Sequence, residues 1–251
     1  MSYALEVKNL VARHGLLQAV RDVSFSLSPG EVLALVGANG AGKTTLLRTI
    51  AGAHRASGGT IYLEGSDITS LTPHRRVVRG LALVPEGRKL FGEMTVEENL
   101  LVAGRRARTG HWTIDAVVNA FPVLKPLLHK RASTISGGEQ QATAIGRALM
   151  TNPQVLLLDE VSLGLSPVAV DAVYESLSVL IRSGATLVVV EQDLQRALSV
   201  AGRVVCMLEG KIVLESATAK VTRDQVTEAY FGLSRGNHLP ENAAPTSADQ
   251  A

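Results

Sequence analysis

The sequence predicts an α/β protein with a mainly parallel core sheet, and three features of the chain lead to this prediction. Short apolar runs rich in Val and Leu recur, segments with helical character separate them, and the first part of the chain alternates apolar and polar residues. The clearest apolar runs are Val32–Val36, Val155–Leu158, Leu187–Val190 and Val204–Leu208. Runs of this length, bounded by Gly or charged residues, are typical of parallel strands covered on both faces.

The composition excludes several classes of protein. The 251 residues are 46% hydrophobic, but no apolar run approaches the roughly 20 residues that a membrane-spanning helix needs. The N-terminus lacks the basic stretch and apolar core of a signal peptide, so we expect a soluble, cytoplasmic protein. The net charge of +2 is too small to indicate nucleic-acid binding, and we interpret the basic cluster at 105–108 as a solvated face. Cys206, the only cysteine in the sequence, lies in an apolar run, which favours a buried core thiol.

The first predicted elements belong to two sheets. Residues 5–27 alternate apolar and polar side chains, as half-buried antiparallel strands do, and predict an N-terminal antiparallel β subdomain. The elements that follow are a strand over Val32–Val36, a helix from near Lys43 to Gly52, a strand pair around Thr60–Leu63 punctuated by Gly58-Gly59 and Glu64-Gly65, and a strand over Leu81–Val84.

Residues from about 89 to 150 show no strand pattern and predict a helical subdomain inserted in the α/β core. A capping box marks one helix start, because the Thr95 hydroxyl and the Glu98 carboxylate satisfy free backbone amides. Trp112–Phe121 and Glu139–Met150 are predicted as further helices.

Strand–helix alternation resumes after residue 153 and predicts right-handed βαβ connections. The elements are a strand over Val155–Leu158, a helix opened by Ser166-Pro167, a strand over Thr186–Val190, a helix near Leu194–Ala201 and a hairpin turning at Glu209-Gly210. We therefore expect a single domain over residues 1–233. The tail over residues 234–251 is polar and rich in turn residues, which predicts disorder.

A glycine-rich loop between a strand and a helix predicts a phosphate site. It fits the pattern G-x-x-x-x-G-K-[ST] with the residues Gly37, Ala38, Asn39, Gly40, Ala41, Gly42, Lys43 and Thr44. Glycines let consecutive N–H groups converge on phosphate oxygens, and the helix N-terminus adds a partial positive charge. We expect Lys43 to reach the β- and γ-phosphates of ATP, Thr44 to bind Mg²⁺, and Thr45 to lie among the nucleotide-binding residues. The alternative is a glycine-rich turn with a surface lysine.

Two carboxylates, Asp159 and Glu160, follow the apolar strand Val155–Leu158. Ligands of parallel sheets bind at the carboxyl ends of the strands, beside the phosphate loop. We expect Asp159 to hold Mg²⁺ through water, and Glu160 to orient or deprotonate the attacking water as a catalytic residue. The alternative is an ordinary strand end with solvated acids.

A second glycine-containing helix start lies shortly before the acidic strand, in the string Ile135-Ser136-Gly137-Gly138-Glu139-Gln140-Gln141. It offers an anion site with no phosphate of its own in the same molecule. Here the chain resembles the ABC ATPase family, whose signature is similar to L-S-G-G-Q, and the resemblance covers roughly residues 5–231. It implies a P-loop ABC ATPase fold, with two ATP molecules sandwiched in a head-to-tail pair of subunits. The residues of one subunit that would close over ATP on the phosphate loop of the other are Ser136, Gly137, Gly138 and Glu139.

Several positions depart from the commonest ABC ATPase residues. Glu86 stands where the family usually has a Gln that contacts Mg²⁺ or water, and Val161 stands where a Pro follows the catalytic Glu. Gln192 replaces a His that contacts the γ-phosphate, and an amide can still donate a hydrogen bond there without titrating. His14 occupies the place of an aromatic residue that stacks on adenine, with a surface histidine as the alternative.

Four strings look like the second ATPase subunit of branched-chain amino-acid importers, namely Pro85-Glu86-Gly87-Arg88, Met94–Leu100, Ser136–Gln141 and Val190-Glu191-Gln192. This resemblance implies a second ABC ATPase subunit, identical or not, together with transmembrane permease subunits and a periplasmic binding protein. It places the chain on the inner face of the cell membrane, held there by the permease subunits.

Other functions remain open at this point. ABC ATPases of DNA repair or chromosome organisation carry a long coiled coil between phosphate loop and signature, and the span from Lys43 to Ser136 has no room for one. Members that act in translation usually carry two cassettes in one chain. The further alternatives are a regulatory module with little turnover, lipid export, and uptake of urea or other amides, since the cargo never touches this subunit.

Overall fold

A computed structural model describes residues 3–105 and 108–232 of the chain, and it contains two β-sheets with helices on both sides of the larger one. The predicted disordered tail at 234–251 lies outside the described residues, as does the middle of the basic cluster at 105–108. Within the described ranges, no helix is both long and apolar enough to cross a bilayer.

The smaller sheet confirms the predicted antiparallel strands. It contains β1 (Leu5–His14), β2 (Leu17–Leu27), β4 (Ala56–Leu63) and β5 (Ser66–Asp67), in the order β2-β1-β4-β5. The prediction that Gly58-Gly59 bounds a strand is wrong, because both glycines lie inside β4. Gly59 has φ of 80°, and a Cβ there would lie 2.3 Å from the carbonyl oxygen of Asn9 on β1, so this glycine permits a bulge between close strands.

The larger sheet is the predicted core sheet. It contains β3 (Val32–Val36), β6 (Leu81–Val84), β7 (Val155–Asp159), β8 (Thr186–Val190), β9 (Arg203–Leu208) and β10 (Lys211–Ala217). The order is β10-β9-β3-β8-β7-β6, and all neighbours pair in parallel except the hairpin of β9 and β10. The parallel strands β3, β7 and β8 therefore end at one edge of the sheet, where the chain turns into loops.

The parallel strands of the core sheet are buried on both faces, which explains their continuous apolar runs. Along β3, Ala34 packs with the helices on one face, whereas Leu33 and Leu35 pack with β1, β2 and the first helix on the other. The side chains of β7 and β8 alternate in the same way. Cys206 is fully buried in β9, as predicted.

The described residues form eight α-helices. They are α1 (Lys43–Ile50), α2 (Pro73–Arg79), α3 (Val96–Gly104), α4 (Ile114–Ala120), α5 (Gly137–Leu149), α6 (Pro167–Arg182), α7 (Leu194–Val200) and α8 (Arg223–Phe231). Helices α3 to α5 occupy the chain between β6 and β7, where helices were predicted. The capping box at α3 is present, since Thr95 and Glu98 each accept a backbone N–H from the other. Helices α2 and α8 were not predicted.

Candidate functional site

The phosphate loop leads from the end of β3 into α1, and its backbone requires glycine. Gly42 has φ of 101°, and a Cβ on it would lie 2.2 Å from the carbonyl oxygen of Ala19. A Cβ on Gly37 would lie 2.3 Å from the carbonyl oxygen of Met207. Gly40 has φ of 83° and nothing within 4 Å of its Cβ position, so that part of the loop faces open space. Ala41, in contrast, turns its side chain into the core.

Lys43 is held inside the loop that precedes it. Its Nζ donates hydrogen bonds to the carbonyl oxygens of Gly37, at 2.7 Å, and Ala38, at 3.1 Å. The side chain is only 4% exposed, and burial lowers the pKa of its ammonium group, although Glu160 and Asp159 oppose that shift. A desolvated cation of this kind interacts more strongly with an incoming anion than a solvated one does.

Thr44 and Asp159 form the neighbouring part of the site. The Thr44 hydroxyl donates to Asp159 Oδ1 at 3.1 Å, whereas the buried Asp159 Oδ2 has no hydrogen-bond partner among the described residues. Burial is the main cause that raises the pKa of Asp159 to about 6. An unpaired carboxylate oxygen beside a hydroxyl suits a hard cation such as Mg²⁺. Within the described ranges, no group of three or more His, Cys, Asp or Glu could hold a metal ion.

Glu160 lies just beyond Asp159 in an unusual backbone conformation. Its φ is 49°, in the left-handed region that residues with a side chain seldom adopt. Its N–H donates to the carbonyl oxygen of Val190 at the end of β8, and its Oε2 accepts a hydrogen bond from Gln192 Nε2 at 2.8 Å. Its Oε1 lies 3.9 Å from Lys43 Nζ. The turn therefore directs the carboxylate toward the phosphate loop.

A single cavity of about 450 Å³ brings half of the predicted site residues together. Its lining includes Asn39, Gly40, Gly42, Lys43, Thr44, Thr45, Glu86, Glu160 and Gln192. Glu86 comes from the loop after β6, and Leu163 from the loop after Glu160 also contributes. Four neighbouring strand ends of the core sheet, those of β3, β8, β7 and β6, thus supply one basic, two acidic and several hydrogen-bonding groups.

His14 lies at the end of β1, next to this cavity. Its Nε2 is 3.1 Å from the Thr45 hydroxyl oxygen, and its ring stacks on that of His54 with centroids 4.5 Å apart and a tilt of 40°. His14 is exposed, which leaves its ring accessible for further stacking. Sequence reasoning missed His54, because no local pattern connects it to a residue 40 positions earlier.

The second glycine-containing helix start is not part of that cavity. Ser136 caps α5, and its Oγ accepts the Glu139 N–H at 3.4 Å while the Glu139 carboxylate accepts the Ser136 N–H at 2.6 Å. A Cβ on Gly138 would lie 2.8 Å from the Cβ of Ala169, so glycine allows α5 and α6 to pack closely. Ser136, Gly138 and Glu139 line a different cleft of about 600 Å³, between α4, α5 and α6. The structure therefore does not bring the two predicted anion sites together within one chain.

The glycine loop between a parallel strand and a helix, with a buried lysine and two acids at a neighbouring strand end, defines a phosphate-loop protein that hydrolyses nucleoside triphosphates. The profile of the ABC transporter family matches residues 20–162, more than half of the chain. The chain belongs to this family, and it is an ATP-binding, ATP-hydrolysing subunit of a transporter.

Two curated relatives share most of their length with the chain. The high-affinity branched-chain amino acid transport ATP-binding protein BraG of Pseudomonas aeruginosa is 43% identical over 222 residues, covering 87% of this chain and 95% of that protein. The probable branched-chain amino acid transport ATP-binding protein LivF of Archaeoglobus fulgidus is 33% identical, covering 89% and 96%. A relative named for a different cargo is the lipopolysaccharide export system ATP-binding protein LptB of Haemophilus influenzae, 30% identical over 91% of this chain and 97% of that one.

Solved structures agree with the fold. MJ1267, an ATP-binding cassette of an ABC transporter, superposes with a TM-score of 0.78 at 29% identity, covering 92% of this chain and 99% of that one. The ATP-binding cassette MJ0796, in a dimeric post-hydrolysis state bound to ADP and Pi, superposes with a TM-score of 0.74. At 23% identity, over 85% of this chain and 98% of that one, the second match shows the fold alone. These matches establish the ABC ATPase fold predicted from the sequence.

Proposed function

We propose that the chain energises uptake of branched-chain or other hydrophobic amino acids, by ATP-driven closure and opening of a pair of nucleotide-binding domains. The observation that carries the mechanism is the separation of two anion sites: Lys43, Glu160 and Gln192 line one cavity, and Ser136 and Gly138 line another. The likeness to BraG over 95% of that protein supports the choice of cargo. A relative named for lipopolysaccharide export makes another cargo the competing proposal.

In this proposal the phosphate loop and Lys43 bind the phosphates of ATP, and His14 stacks on adenine. Thr44, Asp159 and Glu86 would hold Mg²⁺, which neutralises charge on the phosphates when bound. Glu160 orients or deprotonates the attacking water. Gln192 keeps the Glu160 carboxylate in place through the 2.8 Å hydrogen bond and has a second amide N–H to offer the γ-phosphate.

The second half of each site comes from a partner subunit. Ser136, Gly137 and Gly138, with Glu139 as their capping residue, supply the N-terminus of α5, which attracts a γ-phosphate held on the partner's loop. ATP then joins the two subunits, and hydrolysis removes the bridge. Only a contact that differs between ATP and ADP can drive such a switch. The partner is a second copy of this chain or a related ATPase subunit, and the dimeric MJ0796 cassette is a precedent in the same fold.

The permease subunits would dock near the loop that follows β6. Exposed apolar side chains gather along the chain there, namely Phe91, Met94, Leu101 and Val102. They follow Glu86 in the chain, and Glu86 lines the phosphate cavity, so the segment after β6 would connect this surface with the nucleotide site. This docking would place the chain on the cytoplasmic face of the membrane. We assign residues 1–233 to one nucleotide-binding domain, with a helical subdomain at about 89–150.

Reconstitution tests the proposed cargo. The full chain is expressed with an affinity tag, and the membrane proteins that co-purify with it are placed in liposomes with their binding protein. ATP-dependent accumulation of labelled leucine, absent with Glu160→Gln, is the expected result. Accumulation of a different solute, or ATP-dependent extraction of lipid, would assign the chain to another cargo.

A further inference from the structure

Glu191 is a buried acid with no part in the mechanism proposed above. It follows β8, precedes Gln192, and is 1% exposed. Its Oε1 accepts the Ser162 N–H at 3.3 Å, and its Oε2 accepts the Ser162 hydroxyl at 2.6 Å. Burial raises the pKa of Glu191, while the hydrogen bonds from Ser162 oppose the rise. A carboxyl group in such a place is costly unless its hydrogen bonds are satisfied, so its contact with Ser162 is specific.

The hydrogen bond from Ser162 to Glu191 is one of two side-chain hydrogen bonds that join two loops, and each loop donates one of them. One loop contains Glu160 and Ser162, and the other contains Glu191 and Gln192. Gln192 donates to the Glu160 side chain, and Ser162 donates to the Glu191 side chain. The backbone bond from the Glu160 N–H to the Val190 carbonyl joins the same strand ends. The two loops are therefore joined by side-chain hydrogen bonds at two places.

The turn at Glu160 needs such support. A left-handed φ of 49° is unfavourable for a residue with a side chain and persists only where neighbouring contacts enforce it. Val161, the next residue, is buried in the core, and this burial anchors one side of the turn. Ser162 is the next residue, and its link to Glu191 is the contact that fixes the loop on its far side. Without it, the turn could relax and carry the Glu160 carboxylate away from the cavity.

We propose that Glu191 is a positioning residue, which acts through Ser162 to hold the strained turn that aims Glu160 at the attacking water. This role rests on the proposed function of Glu160 in hydrolysis. Glu191 itself touches neither nucleotide nor water in the proposal. Its loss should therefore slow the chemical step and leave ATP binding nearly unchanged.

The surroundings of Glu191 offer a matched control. The ring of Tyr174, on α6, packs beside Glu191, and its buried hydroxyl faces the Glu191 carboxyl group. Burial, followed by the charge of Glu191, raises the pKa of this hydroxyl. The charged groups beyond it are Arg196, whose guanidinium lies 5.7 Å from the ring centroid, and Asp193. Tyr174→Phe removes this hydroxyl from the surroundings of Glu191 and leaves both side-chain hydrogen bonds between the two loops in place.

The test compares Glu191→Ala, Glu191→Gln and Tyr174→Phe in the full chain, purified with its co-purifying partners. Glu191→Ala should lower kcat about 10- to 100-fold, since small displacements of a catalytic group have effects of that size. KM for ATP and the affinity for a fluorescent ATP analogue should change less than about twofold. Glu191→Gln should recover most of the activity, because its amide can accept the Ser162 N–H and donate to the hydroxyl oxygen. Tyr174→Phe should leave kcat unchanged.

Ser162→Ala covers the case in which Glu191→Ala fails to fold. It removes the hydroxyl donor from a half-buried position and keeps the backbone donor, so a smaller loss of kcat is expected. Unchanged kcat in both Glu191→Ala and Ser162→Ala would overturn the positioning role. A parallel loss of ATP affinity and melting temperature that Glu191→Gln does not recover would show a merely structural role. Normal hydrolysis by Glu160→Gln would instead remove the proposed function of Glu160, a separate failure.

Discussion

The two anion sites of this chain differ in how complete they are. The cavity at the phosphate loop has its cation, its acids and its hydrogen-bonding amide in place, all within a few ångströms. The start of α5 has a capped helix terminus and glycines packed against α6, but its cleft contains none of the phosphate-loop residues. One site is built for chemistry, and the other is built to recognise an anion that another molecule holds. This contrast means that a single chain can bind ATP while a pair is needed to use it.

The largest effect on ATP hydrolysis should come from a substitution in the phosphate-loop cavity. Glu160→Gln removes the acid that directly follows Asp159 and accepts the Gln192 hydrogen bond, so it should lower ATP hydrolysis at least about 100-fold while ATP binding persists. Glu209→Gln is the matched control, since Glu209 is an exposed acid with a similar left-handed φ of 47° in the hairpin of β9 and β10. Phosphate release and binding of a fluorescent ATP analogue measure the two quantities. Near-normal turnover of Glu160→Gln would contradict the assignment.

Asp159, which lies beside the phosphate loop, should affect the folding stability of the protein as well as its ATP hydrolysis, and Asp159→Asn tests the effect on stability. Folding raises the pKa of Asp159 from 3.8 to about 6, so the folded protein binds a proton more tightly than the unfolded chain does. The stability from this group is therefore full below pH 4 and is lost as pH rises through 6, by up to about 3 kcal/mol. Asp159→Asn should raise the melting temperature without nucleotide at pH 7.5, and should weaken the pH dependence between 4 and 6.

The control for that experiment is Glu228→Gln, which changes the net charge equally at an exposed position on α8. It should leave the melting temperature nearly unchanged. Calorimetry across the pH range measures both variants. A lower melting temperature for Asp159→Asn at pH 7.5 would show that burial of this acid is compensated in a way that the contacts do not reveal.

A substitution at the start of α5, the second anion site, should have an intermediate effect on ATP hydrolysis. Ser136→Ala removes a helix cap and a donor to the partner's nucleotide, so it should lower hydrolysis about tenfold and stability by about 1 kcal/mol. Thr222→Ala removes an equivalent capping box from α8, where Gln225 is its counterpart. It should cost similar stability with no change in hydrolysis. Equal losses of hydrolysis in both variants would remove the special role of Ser136.

The smallest effect is expected at the edge of the phosphate cavity. His14→Ala should raise KM for ATP about 2- to 10-fold with little change in kcat, because stacking contributes to binding rather than to chemistry. His14→Tyr should restore or improve binding. His74→Ala, at an exposed position on α2, is the control. An unchanged KM for His14→Ala would mean that His14 is an ordinary surface residue.

The sequence predicted those features that depend on neighbouring residues. The phosphate loop, the acidic strand end and the cap of α5 each lie within a short string whose spacing determines the backbone, so their local structure followed from the residues. The error at Gly58-Gly59 has the opposite origin, since the β1 backbone facing Gly59 explains why glycines lie inside β4.

The missed contacts join residues that are far apart in the chain. His14 and His54 are brought together by the packing of β1 against the segment after α1, and Ser162 meets Glu191 only because β7 and β8 are neighbours. No periodicity or spacing carries such information. These contacts lie next to the predicted site residues. The sequence therefore indicated the reactive side chains, whereas the contacts that hold those side chains in position are visible only in the folded structure.

The most direct test of the account is a crosslink between the two halves across the subunit boundary. Ser136→Cys in one subunit is combined with Asn39→Cys, or the equivalent change in a non-identical partner, in a Glu160→Gln background that keeps ATP bound. Cys206 is fully buried and should not compete. If ATP bridges the two subunits, a disulfide between them should form with ATP and not with ADP. Absence of that disulfide in ATP-loaded complexes, or equal yields with either nucleotide, would contradict the shared site.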